Sequence, residues 1–103
     1  MKAKVELYKS DKSDKKYKII IFDNNTKKTI HIGQRGADDF TITNDEDQKK
    51  RYISRHRPRE NWTKSGIKTA GFWAYHLLWN KKSIGSSIRD IEDKFNVDIF
   101  RRF

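Results

Sequence analysis

The chain holds no cysteine among its 103 residues, which excludes a disulfide framework, a thiolate metal site and a cysteine nucleophile together. It has a single proline, Pro58, and no long apolar run. No window approaches the roughly 18 apolar residues that a membrane span requires. The opening stretch Met1-Lys2-Ala3-Lys4-Val5-Glu6 lacks the apolar segment of a secretory signal, so the expectation is a soluble protein that is not secreted. Hydrophobic residues are also scarce, at 34% against 37% charged, a balance that leaves a chain disordered unless its apolar side chains are concentrated. They are concentrated: three Trp, four Tyr and six Phe bury a large area per residue, enough for one small core and not for two.

What the chain has in abundance is positive charge, a net of +10. A domain with that excess attracts phosphates, acidic proteins or anionic surfaces. The charge is unevenly placed. Residues 1–32 carry nine Lys against four acids, residues 33–47 carry Arg35 against five acids, and residues 48–68 carry eight cations against Glu60 alone.

Hydrophobic periodicity divides the chain by type of element. Ala3, Val5 and Leu7 alternate with Lys4, Glu6 and Tyr8, which predicts a half-buried strand. Tyr17-Lys18-Ile19-Ile20-Ile21-Phe22 is a β-branched run of strand length, and Asp23-Asn24-Asn25-Thr26 predicts a tight hairpin into Lys28-Thr29-Ile30-His31-Ile32. Residues 34–44 read as a Gly/Asp loop. Asn44 is the predicted N-cap of a helix with Asp45, Glu46 and Asp47 in its first turn and cations later, ended by Pro58. Thr69 caps a second helix, Ala70 to Trp79, apolar on nearly every face and hence buried. Ser83 or Ser86 caps a third, in which Ile84, Ile88, Ile91 and Phe95 form one inward stripe. The predicted fold is one basic α+β domain over residues 1–103. It comprises an N-terminal three-stranded antiparallel meander (1–33), the loop (34–44), a helical part of three helices with a Trp-rich middle one (45–96) and a tail (97–103).

The segment from Lys49 to Arg59 is the most informative about function. Its helix has only Tyr52 and Ile53 to bury, and its cations are largely arginines, whose guanidinium fork matches phosphate geometry. Lys49, Lys50, Arg51, Arg55, Arg57, Arg59 and Lys64 are therefore the candidate phosphate contacts. Tyr52, His56 and Trp62, lying among them, are candidate stacking groups for bases. The competing reading is a solvated helix anchored by Tyr52, Ile53 and Trp62. Lys9, Lys12, Lys15 and Lys16 crowd one hairpin end and read chiefly as protection of a strand edge.

Other chemistry finds little support. His31, His56 and His76 have no metal-ligand spacing, and His76 between apolar neighbours reads as a core histidine. The acids Asp38, Asp39, Asp45, Glu46 and Asp47 could hold Mg²⁺ for phosphodiester hydrolysis, but turn and helix-dipole roles account for them. Gly33-Gln34-Arg35-Gly36 lacks the Gly-Lys-Ser/Thr ending of a phosphate loop. No cofactor and no metal are expected, and no enzymatic activity.

Ile30-His31-Ile32-Gly33, Gly36-Ala37-Asp38-Asp39-Phe40-Thr41, Arg51-Tyr52-Ile53-Ser54-Arg55-His56 with Glu60-Asn61-Trp62, and Thr69-Ala70-Gly71-Phe72-Trp73 with Leu77-Leu78-Trp79-Asn80-Lys81 together resemble a small uncharacterised family. That family is encoded by giant nucleocytoplasmic DNA viruses and some protists, and the resemblance spans residues 17–96. Phe40 stands where the family usually has Tyr, and Ser83-Ile84 with Gly85-Ser86 where it usually has Thr-Leu and a Glu. The resemblance implies a viral or virus-like origin and packaging in the virion or a place in the viral factory of the host cytoplasm. It implies no activity and no catalytic residues.

The function expected is thus non-enzymatic binding of nucleic acid, viral DNA or RNA, through a basic helix. The alternative is a structural or adaptor virion protein docking on an acidic protein surface, and the third is a metal-dependent nuclease.

Overall fold

The computed structural model describes residues 2–103. The predicted strands are present as β1 (Lys4–Lys9), β2 (Lys15–Asp23) and β3 (Thr26–Gln34). Asn24 and Asn25 join the last two with φ of 48° and 66°. Asparagine tolerates this left-handed backbone, and two such residues in succession give a turn whose twist matches the flanking strands. β2 lies antiparallel to both neighbours, with Leu7 opposite Ile19 and Ile19 opposite Ile30.

The C-terminal residues are not a tail. Asp98–Arg101 form β4, parallel to β1, so the sheet has four strands in the order β3-β2-β1-β4. Asn96 takes the left-handed conformation (φ 54°) and turns the chain back onto the sheet. Val97 is then fully buried, and the Asp98 N–H donates to the Ala3 carbonyl at 3.0 Å. Four residues are too few to register as alternation in the sequence, and the pairing depends on a partner at the other end of the chain.

The helical part also differs from expectation in number and detail. Inside the Gly/Asp loop, Phe40–Thr43 form a short helix, α1, capped by the Asp39 carboxylate on the Thr41 N–H. The next helix, α2 (Glu46–His56), is capped by Asp45 and not by Asn44, the Asp45 carboxylate accepting from the Asp47 and Gln48 N–H groups. Asn44 instead closes α1 in the left-handed conformation. Pro58 sits in a 3₁₀ turn, Arg57–Arg59, that follows α2 directly. The Trp-rich segment begins as predicted at Thr69 but is an α-helical turn, α3 (Ala70–Trp73), that widens into a π-helix over Ala74–Trp79. Ser83 caps α4 (Ile84–Phe95).

One face of the sheet carries the core. Val5, Leu7, Ile19, Ile21, Ile30 and Ile32 pack with Phe72, Trp73, Leu77 and Leu78 and with Ile88 and Ile91 of α4. Each buried aliphatic side chain is worth about 1.5–3 kcal/mol, so these strands and the α3 segment carry most of the apolar stabilisation. The Trp73 indole N–H donates to the Ile67 carbonyl at 2.6 Å, which fixes the incoming loop against the core. No helix among the described residues is long and apolar enough to cross a membrane.

Candidate nucleic-acid interface

α2 has two faces set by its sequence. Lys49, Tyr52, Ile53 and His56, at spacings of three and four, form the stripe turned to the protein, and only Tyr52 is fully buried. Lys50, Arg51, Ser54 and Arg55 form the exposed face, which Arg57 and Arg59 of the 3₁₀ turn continue.

The rings on the inner side stack on one another. Tyr52 lies parallel to Trp79 at 4.5 Å between centroids and to His56 at 4.1 Å. Trp62, half-buried, stacks on Tyr75 at 4.0 Å. Burial, with the Glu60 charge as a second cause, pushes the Tyr52 hydroxyl well above the ordinary tyrosine range. With 7% of its surface exposed, Tyr52 has no ring face for a base, and it serves as the anchor of α2. Glu60 gathers the neighbouring groups. Its carboxylate accepts from the Trp62 indole N–H at 3.0 Å, lies 3.4 Å from His56 Nδ1, and rests on Gly71 in the first turn of α3. The stretch bearing Arg57 and Arg59 is thereby held between α2 and α3. Arg57 and Trp62 border a surface cavity of about 440 Å³.

Two of the predicted phosphate contacts have other employment. Lys49 Nζ donates to the Asn80 carbonyl at 2.6 Å, just past the π-helix, and lies over the Phe40 ring. Lys64 Nζ donates to the Phe95 carbonyl, the last of α4. Both complement the negative end of a helix and satisfy a carbonyl left without an intrahelical partner. Lys50, Arg51, Arg55, Arg57 and Arg59 are exposed and engage no carboxylate among the described residues. The ion pairs present join Lys2 to Asp98, Lys4 and Arg102 to Glu6, Lys16 to Asp39, Lys68 to Asp23, Lys94 to Asp90 and His56 to Glu60.

Two of the acids are spent structurally. Asp39, 2% exposed, pairs with Lys16 at 2.7 Å as well as capping α1, and Asp45 caps α2. Lys16 therefore ties β2 to the loop, with its stem packed across Gly33 (φ 76°), a role that strand-edge composition did not reveal. Arg35 is likewise structural, donating to the carbonyls of Ser10 and Lys12 in the β1–β2 turn and of Lys15 at the start of β2. His76 is a core histidine: its Nε2–H donates to the Trp62 carbonyl at 2.8 Å, and burial holds its pKa below the ordinary value. Among the described residues no group of three or more His, Asp or Glu side chains converges to hold a metal ion.

Residues 5–56, from β1 to the end of α2, match a protein family described as a family of unknown function (DUF5754). Neither the curated proteins nor the solved structures provide a match.

Proposed function

We propose that the chain, which belongs to this family of unknown function, binds nucleic acid without catalysing a reaction, through the cations of α2 and the turn that follows it. One observation carries the reading. Lys50, Arg51, Arg55, Arg57 and Arg59 are exposed close together on one stretch of chain, four of the five are arginines, and among the described residues none of them forms an ion pair with a carboxylate. Unpaired surface arginine is poised for phosphate, and each phosphate contact made releases condensed counterions. The rigid backing matters too, because Tyr52 and the Glu60 contacts hold the turn before any ligand arrives and lower the ordering cost of binding. Lys49 and Lys64 fall outside the contact set, and His56 and Trp62, each partly exposed and already stacked on a neighbouring tyrosine, are left as the candidate stacking rings beside the arginines.

The resemblance to proteins of giant DNA viruses makes the viral genome or its transcripts the polyanion we propose, met in the virion or the viral factory. The test is a salt titration of binding to DNA, RNA and heparin. Affinity falls linearly on logarithmic axes with a slope set by the number of phosphates engaged. Binding that is weak and indifferent to salt for every one of these ligands would reject the proposal.

A further inference from the structure

The sheet face turned away from the helices is left without a role by the reading above. Strand alternation sends Lys4, Glu6 and Tyr8 of β1 and Lys18, Ile20 and Phe22 of β2 outward, while their neighbours in sequence fill the core. Register then sets them in rows: Lys27, Phe22, Lys4 and Asp98 stand abreast, and Thr29, Ile20, Glu6 and Phe100 form the next. Phe100 is 42% exposed, and Phe22 and Tyr8 are only partly covered.

Cations attend the rings. Lys4 Nζ lies 5.4 Å from the centre of Phe22 and 5.6 Å from that of Phe100, Arg102 lies over Phe100, and Lys18 Nζ is 5.0 Å from Tyr8. Beside Phe22 a concavity of about 370 Å³ opens between Lys2, Lys4, Lys27 and the β2–β3 turn. The two acids on this face, Glu6 and Asp98, are already paired with Arg102, Lys4 and Lys2. What remains is an aromatic sheet surface of positive sign, with lysines spaced between the rings.

We infer that this face is a second binding site, a stacking platform for the unpaired bases of single-stranded nucleic acid, with Phe22 and Phe100 under the bases and Lys18 and Lys27 on the phosphates. A four-stranded sheet can present rings at a spacing that suits successive bases, and every base offers a π face. Charge complementarity favours this occupant over a second copy, since two such faces would bring like charges together. The inference stands on the sheet and does not require the α2 cations to bind anything.

The test compares oligo(dT), a duplex of equal length and heparin by fluorescence anisotropy, for the parent and for Phe22→Leu and Phe100→Leu. Leucine keeps apolar volume, and circular dichroism with thermal melting verifies the fold. Affinity for oligo(dT) should fall at least about fivefold for each ring, with duplex and heparin binding unchanged. The same loss should appear in an Arg55→Ala, Arg57→Ala background, which separates this site from α2. If the Leu variants bind oligo(dT) as the parent does, or lose heparin in equal measure, the platform is overturned. It is overturned as well if the parent sediments as a dimer that these variants split while oligo(dT) binding stays constant.

Discussion

The Glu60 carboxylate lies directly on Gly71: a Cβ at that glycine would stand 2.7 Å from Glu60 Cδ. Glycine costs a helix about 1 kcal/mol relative to alanine, so its presence in the first turn of α3 reflects this close approach. Because Glu60 is also held by Trp62 and His56, it cannot withdraw freely.

Gly71→Ala should therefore destabilise the protein by about 1 kcal/mol despite the gain in helix propensity, since overpacking typically costs about 1–3 kcal/mol. Adding Glu60→Ala should recover most of that loss in a double-mutant cycle followed by thermal unfolding. Gly66→Ala should cost more, because its Cβ would meet the Asn61 carbonyl at 2.0 Å and backbone yields less than a side chain. A Gly71→Ala protein more stable than its parent would contradict the contact.

Arg55→Ala and Arg57→Ala should leave stability within about 0.5 kcal/mol, as neither side chain forms a hydrogen bond or ion pair among the described residues. Each should reduce the slope of log affinity against log salt by about one unit for DNA or RNA. Unchanged slopes would remove these residues from the interface.

Lys64→Ala and Lys49→Ala should behave in the opposite way. Each removes a cation from a helix C-terminal carbonyl, at a cost of about 0.3–1 kcal/mol, and changes the salt slope little. Denaturant melts and the same titration read the two effects on one set of proteins.

His76 should make stability sensitive to mild acid. Its folded pKa is lowered by burial, which outweighs the hydrogen bond to the Trp62 carbonyl, with Lys94 disfavouring and Asp90 favouring the charged ring. The unfolded chain then binds a proton that the folded chain refuses, so stability rises with pH. It is complete above the unfolded value near 6.5 and declines as pH falls below that, by at most about 1.4 kcal/mol per unit. Denaturant unfolding at stepped pH should show this slope in the parent and lose it in His76→Gln.

Elements whose signal is local were legible in the sequence. The alternation at residues 3–8, the run at 17–22, the Asn24-Asn25 turn, and the Thr69 and Ser83 caps each depend on residues a few positions apart, and each is where the pattern placed it. The N-cap of α2 was off by one because Asn44 and Asp45 are both good caps, and the choice went to the residue whose carboxylate reaches two N–H groups. α1 was hidden because a single turn has no periodicity to detect.

The candidate site divides along the same line. Composition and spacing alone determined that cations crowd residues 49–59 and that Tyr52 and Ile53 sit on one stripe, since helical periodicity follows from chain geometry. Which cations are free was decided only by tertiary contacts: Lys49 and Lys64 are captured by carbonyls 31 residues away, and Lys16 by a buried aspartate. β4 and the open aromatic sheet face belong to the same class. Both arise when distant strands pair, and a pairing energy shared between two segments leaves no mark on either one by itself.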